Sequence, residues 1–270
     1  MKPITLSEKL MFNTVRLVAS DGSSGTGFFY NFKVNDVFVP VIITNKHVVR
    51  DNPHETMQFY LHLKNGENES KENFSITLSA NWTFHSTKDL CFCFCQSVFD
   101  QVKKITGKDV FVSIIDESII PTKDVLLNLS ALEELVMIGY PIGLWDSKNN
   151  YPIFRKGFTA SHPAIDFNEK GIGLADIACI PGSSGSPVFI LNEGGYKDKQ
   201  GTLNWGRDRI LFLGVLFAAP IYDATGKLII RNIPTSQQVI ESHTGITANL
   251  GYYIKSSELD EFSDYIKTFF

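Results

Sequence analysis

The run Pro181-Gly182-Ser183-Ser184-Gly185-Ser186-Pro187, followed by apolar Val188-Phe189-Ile190, has the make-up of a turn that presents a serine hydroxyl. A nucleophilic serine needs a tight turn that exposes its Oγ and backbone N–H groups aimed at a developing oxyanion. Gly182 and Gly185 let the backbone bend in that way and let a substrate approach closely. Taken alone, the run is equally a plain Gly/Ser connection between strands. A base must therefore be sought elsewhere. In Ile42-Ile43-Thr44-Asn45-Lys46-His47-Val48-Val49 a β-branched strand ends and a histidine follows at once, shortly after the Gly-rich Gly25-Thr26-Gly27-Phe28. Lys88-Asp89-Leu90 opens an apolar strand with an aspartate, a residue that caps a turn or orients a histidine.

The elements that must position these residues are short and β-rich. After a short helix over 6–13, the pattern predicts strands at 15–19, 27–32, 37–44, 56–62, 74–78 and 90–95. Asp21-Gly22, Asn35-Asp36 and Asn65-Gly66 mark turns between them. A second set is predicted at 125–128, 134–139, 153–160, 173–180, 187–190, 210–218, 227–230 and 251–255, with 98–122 as a partly helical connector. Residues 191–209 are polar and Gly-rich without periodicity and read as an exposed loop. The tail reads as an amphipathic helix with a Ser256 or Ser257 cap and an apolar stripe of Leu259, Phe262, Ile266 and Phe269.

The 270 residues suffice for one large domain or for two small barrels sharing a cleft. A hydrophobic content of 43%, a charged content of 20% and a net charge of −4 point to neither nucleic acid nor an anionic membrane as partner. No segment is apolar for long enough to span a bilayer, and the N-terminus lacks the apolar core of a secretory signal. Cys91, Cys93 and Cys95 alternate and would share one face of a strand; with Cys179 they read as buried free thiols. The paired spacing of a metal site is missing, so no metal and no other cofactor is expected. Free thiols and the absent signal suggest a cytoplasmic protein.

Together these motifs resemble the trypsin-like serine peptidases, in particular the HtrA-like bacterial branch. Gly25-Thr26-Gly27-Phe28 resembles the G-[ST]-G-F strand, Thr44 to Val49 the T-x-x-H-V motif, and Asp89-Leu90 the D-L-A strand. Ile138-Gly139-Tyr140-Pro141-Ile142-Gly143 resembles I-G-x-P-x-G, and Asp176 to Pro187 the D-A-x-x-x-P-G-x-S-G-G-P nucleophile segment. The order His, Asp, Ser is that of chymotrypsin-like enzymes. Departures are Ser186 for the second glycine after the nucleophile, Lys46 and Cys91 where alanine is common, and no PDZ domain after the second barrel.

The resemblance implies an all-β fold of two antiparallel six-stranded barrels with a short C-terminal helix. Residues 1–112 would form the barrel carrying His47 and Asp89, and residues 113–270 the barrel carrying Ser184. It implies a serine endopeptidase acting on protein or peptide substrates, with His47 as base, Asp89 orienting it, and the Gly182 and Ser184 N–H groups as oxyanion hole. Ala178, six residues before the nucleophile, would set the floor of the specificity pocket, with Cys179 beside it and Phe217, Ala218 and Ala219 facing it. That lining favours small or medium apolar side chains over Lys or Arg. Ser183 carries no charge to pair with a freed amino terminus, so no N-terminal processing is expected; loops 141–152 and 161–172 would order the oxyanion hole instead. A free-standing peptidase also needs restraint, which admits a regulatory protein partner. The rival expectation is a catalytically silent protease fold that binds a peptide or protein.

Overall fold

In the computed structural model, which describes residues 2–141, 145–228, 240–247 and 249–269, the chain builds two curled β-sheets. The first begins after α1 (Leu6–Met11), whose N-terminus is closed by a capping box between Thr5 and Glu8. Its strands are β1 (Thr14–Val18), β2 (Ser24–Val34), β3 (Val37–Thr44), β4 (Thr56–Asn65), β5 (Asn68–Ser79), β6 (Thr83–Phe84), β7 (Cys91–Phe94) and β8 (Ile115–Asp116). They pair in the order β5-β4-β1-β2-β3-β7-β6, with β8 parallel to β2. Strand pairing thus carries the first sheet to Asp116, past residue 112. Helix α2 (Cys95–Thr106) links β7 to β8.

Helix α3 (Lys123–Leu127) leads into the second unit. Strands β9 (Glu134–Gly139), β10 (Ile153–Thr159), β11 (Ile172–Asp176), β12 (Pro187–Asn192), β15 (Arg209–Ala218) and β18 (Leu250–Lys255) close a six-stranded barrel, in the order β10-β11-β18-β15-β12-β9. Two hairpins stand outside it, β13 (Gly195–Lys197) with β14 (Leu203–Trp205), and β16 (Ile221–Leu228) with β17 (Ile240–Thr247). A 3-10 turn (Ser256–Leu259) and α4 (Asp260–Lys267) end the chain. The mostly antiparallel two-unit β architecture with a short C-terminal helix is the expected fold class.

Alternating burial drives the assembly. One apolar cluster, including Val15, Phe29, Ile42, Phe59 and Trp82, fills the first sheet, and another, including Leu135, Met137, Val188 and Leu213, fills the second barrel. A third is shared by both: Phe28 and Ile43 pack in one cluster with Phe189, Phe212 and α4 residues Phe262 and Ile266. Phe28 meets Phe212 edge to face at 5.4 Å.

Several local expectations are corrected. Residues 125–128 are not a strand: Thr122 Oγ1 accepts from Val125 N and caps α3. Cys95 leaves the strand and starts α2, although Cys91, Cys93, Cys95 and Cys179 are all buried free thiols. Residues 191–209 hold the end of β12 and the β13–β14 hairpin rather than a structureless loop. No serine side chain caps the tail helix, and Phe269 is 58% exposed, outside the apolar stripe. The strand expected at 227–230 extends back to Ile221, and its last two positions lie outside the described residues.

A buried polar clasp ties the first sheet to the segment before β10. His62 Nδ1 pairs with Glu69 Oε1 at 2.8 Å, His62 Nε2 lies 3.1 Å from the Asn150 carbonyl, and Tyr151 Oη donates to Glu69 Oε2 at 2.7 Å. Burial works against the Glu69 charge, but the bonds from His62 and Tyr151 outweigh it and hold the carboxyl below its ordinary range. A depressed folded pKa contributes stability in full above the ordinary value of 4.5, and that contribution is lost as pH falls through the folded value. Glu69→Ala, which strands the buried His62, is expected to cost about 3 kcal/mol at neutral pH. Urea unfolding at pH 7 and pH 4 checks this: the gap between wild type and variant should narrow at the lower pH.

Candidate active site

His47 opens a 3-10 turn (His47–Val49) directly after β3, and left-handed Arg50 and Asp51 turn the chain away. Asp89 stands just before β7 and reaches His47 twice. Its Oδ1 accepts from the His47 backbone N at 3.2 Å, and its Oδ2 from His47 Nδ1 at 2.6 Å. A carboxylate only accepts, so the proton of this pair lies on Nδ1 and Nε2 is left as the basic nitrogen. Asn45 Nδ2 donates to the Asp89 carbonyl at 2.7 Å, which fixes the backbone of the same residue. The His47 side chain is 44% exposed, whereas that of Asp89 is 29% exposed. This is the distribution an oriented, solvent-facing base requires.

Ser184 lies on the turn between β11 and β12. Gly182 and Gly185 both have positive φ, at 86° and 83°, as that turn requires. The neighbouring strand β2 holds the turn at both ends through Thr26. Thr26 N donates to the Ser184 carbonyl at 2.9 Å, and Thr26 Oγ1 donates to the Gly182 carbonyl at 3.2 Å. The same Oγ1 accepts from Tyr140 N at 2.9 Å, and the Thr26 carbonyl accepts from Thr44 Oγ1 at 2.7 Å. Gly25 is wedged between the histidine turn and the serine turn: a Cβ there would come within 2.6 Å of Val48 and 3.3 Å of the Ser184 carbonyl. The structure therefore brings Ser184 to the side of β2 that carries the histidine turn. Among the described residues, Ser184 Oγ makes no hydrogen bond to His47, and no protein acceptor engages the N–H of Gly182 or Ser184.

The turn is braced from behind by a residue the sequence did not single out. Arg155 on β10 donates through Nη1 to the Ala178 carbonyl and, at 3.3 Å, to Ser183 Oγ. Burial weakens its hold on its proton, and no carboxylate pairs with it among the described residues. Ser183 itself is buried, and its Oγ also accepts from Ile180 N at 3.4 Å. Thr26 stood out only as a member of the Gly25-Thr26-Gly27-Phe28 run, and Asn45 and Arg155 had no distinctive signal, because their partners are remote in sequence.

A cavity of about 180 Å³ opens beside Ser184, lined by Cys179, Ile180, Pro181, Leu216, Phe217, Ala218 and Ala219 together with Ser183. Burial pushes the Cys179 thiol up to about 11, so it presents an uncharged wall. Four of the expected lining residues, Cys179, Phe217, Ala218 and Ala219, are in place. Ala178 is not: it is exposed and outside the lining, because Arg155 draws its carbonyl to the back of the turn. Asp176 is also exposed at the end of β11 and contributes no charge to the wall. Ile142 and Gly143 of the 141–152 loop lie outside the described residues. Among the described residues there is no group of three or more His, Cys, Asp or Glu side chains able to hold a metal.

The second barrel thus carries a serine turn and the first sheet a His–Asp pair. The model of the trypsin-like peptidase domain matches residues 25–195, and the chain belongs to that family. No curated protein matches the sequence. Similar solved structures include the Rv3671c protease in an inactive form, 14% identical, covering 95% of this chain and 89% of that one with a TM-score of 0.45. Two scabies mite inactivated protease paralogues are similar too. S-I1 is 10% identical, with 96% of both chains covered and a TM-score of 0.44. S-D1 is 9% identical, with 96% of this chain and 93% of that one covered and a TM-score of 0.46. Likeness of this order bears on neither activity nor mechanism.

The bonds at Thr26 yield a direct test. Thr26→Val keeps the shape of this fully buried residue but leaves the Gly182 carbonyl and the Tyr140 N–H without their partner. It is expected to destabilise the fold by about 1–3 kcal/mol, whereas Thr26→Ser should stay near wild type. Thermal and urea unfolding of the two variants distinguish these outcomes.

Proposed function

We propose that this chain is a serine endopeptidase that hydrolyses peptide bonds through an acyl-enzyme. The observation that carries the reading is the His47–Asp89 pair at 2.6 Å, on the same side of β2 as a Ser184 turn whose Gly182 and Ser184 N–H groups meet no protein acceptor among the described residues. In this reading His47 Nε2 takes the Ser184 Oγ proton as Oγ attacks the substrate carbonyl. Asp89 holds the tautomer and stabilises the imidazolium, and the two N–H groups receive the oxyanion. The imidazolium then gives its proton to the leaving amine as the C–N bond breaks and the acyl-enzyme forms, and water cleaves the ester with His47 again as base and Ser184 Oγ taking the proton back. The motifs favour the HtrA-like branch, and in this reading the base on the first unit and the nucleophile on the second would line a peptide-binding cleft between them.

The cavity beside Ser184 is small and its lining uncharged, which favours Ala, Val or Leu at the position before the cleaved bond. Arg155 already supplies a cation to the residue before the nucleophile, so no freed amino terminus is needed to shape the turn. Restraint would then come from a protein partner or from the loops around the cleft. A second reading, a silent protease fold that binds a peptide, is favoured by one observation: no hydrogen bond joins Ser184 Oγ to His47.

Fluorophosphonate labelling decides between these readings. Wild type should label and turn over, and Ser184→Ala and His47→Ala should do neither while remaining folded. Asp89→Asn should slow turnover by about 10⁴. An unlabelled, inactive wild type that still binds peptides would establish the silent reading. A peptide-library digest should show small apolar residues before the cleaved bond; a profile led by Arg or Lys would overturn the assignment of the pocket.

A further inference from the structure

The loop that presents Asp89 is fastened by an element from the far end of the chain. Residues 85–88 connect β6 to Asp89, and the Glu261 carboxylate, in the first turn of α4, receives both hydrogen bonds that Ser86 can donate. Ser86 N donates to Oε1 at 2.6 Å and Ser86 Oγ to Oε2 at 2.7 Å. Two such bonds on a charged acceptor are stronger than neutral ones and fix direction as well as distance. Burial opposes the Glu261 charge, but the Ser86 bonds outweigh it, with help from the nearby charge of Lys46, and the carboxyl is held below its ordinary range.

His85 completes the fastening from inside. It is buried, and its Nδ1 accepts from Thr87 N at 3.2 Å and Lys88 N at 3.0 Å. Its backbone N donates to the Leu90 carbonyl at 2.9 Å, which closes the turn around Asp89. With Nδ1 accepting, the ring proton lies on Nε2, which faces Glu261 Oε2 at 3.4 Å and Glu258 Oε2 at 3.9 Å. The ring rests edge-on against Phe262 of α4, and Phe262 in turn packs on Phe92 of β7. Lys88 Nζ donates to the Lys170 carbonyl of the second barrel. Ahead of Asp89, these bonds of residues 85–88 thus lead to the turn's own backbone or to the C-terminal half of the chain, while Asp89 itself is held by Asn45 and His47.

We propose that Glu261 is a positioning residue: through Ser86 and His85 it fixes the turn that presents Asp89 to His47. The inference rests on the catalytic reading given above, and its test separates the two. In the full chain, Glu261→Ala is expected to lower kcat/KM on the order of 10-fold through kcat, with KM unchanged, and to shift the acid limb of the pH–kcat/KM profile. Glu261→Gln, which keeps an acceptor for Ser86, should restore most of the loss. A readout independent of turnover is the Nδ1 proton of His47 in ¹⁵N-histidine-labelled protein, assigned with His47→Ala. It should lie far downfield in wild type and Glu261→Gln, and broaden or move upfield in Glu261→Ala. Should Glu261→Ala fail to fold, the Ser86→Ala variant carries the same measurements with the same expectations. A pH profile and a His47 resonance identical to wild type would overturn the proposal. A wild type that neither labels nor turns over, but whose His47 resonance responds to Glu261→Ala, would overturn the catalytic reading and leave the fastening intact.

Discussion

Everything around the candidate site depends on one buried threonine. Thr26 spends its backbone N–H, its carbonyl and its hydroxyl on four different partners, which belong to the serine turn, the end of β9 and the end of β3. Few other residue types could do this. The hydroxyl must donate to one carbonyl and accept from one N–H at the same time, while the methyl fills apolar space. Lone apolar contact between two sheets fixes their separation but leaves them free to slide; directional bonds remove that freedom.

The close approach that these bonds impose dictates the smallest residues nearby. A Cβ at Gly185 would lie 1.9 Å from the Thr26 carbonyl, so only glycine fits there, and its positive φ points to the same choice. At Gly139 a Cβ would lie 2.0 Å from Ser186 Oγ. Ser186, two residues after Ser184, is thus accommodated by the absence of a side chain opposite it. Its hydroxyl is fully buried and has no hydrogen-bond partner among the described residues, so it acts as a space-filler.

The sequence made visible whatever repeats locally. Alternation of apolar residues located β3, β9 and β18 closely, and the glycine–serine turn, the histidine after β3 and the aspartate before β7 were legible because their chemistry and their strand ends coincide. It misled where a local rule had a competitor. The apolar run Val125-Leu126-Leu127 suggested a strand, but the Thr122 cap and the following turn favour a helix. Alternating cysteines suggested a longer strand, but the chain turns into α2 at Cys95. Ala178 was placed by its distance from the nucleophile along the chain, whereas Arg155, a neighbour only in space, decides where that residue faces. The supporting side chains Asn45, Arg155 and Glu261 escaped notice for the same reason: nothing near them in sequence hints at their partners.

The separations spanned by the Thr26 hydroxyl, 156 residues to Gly182 and 114 to Tyr140, have a consequence for how the molecule comes into being. Contacts so distant along the chain form late, because much of the loop entropy must be lost before they contribute. A ribosome releasing this polypeptide from its N-terminus exposes His47 and Asp89 long before Ser184, and the first sheet can form while the serine turn is still being synthesised. Until β12 has emerged and docked, the hydroxyl and the imidazole have no common frame. The order of synthesis keeps Ser184 and His47 apart until β12 has been made, so a shorter product lacks the assembled candidate site.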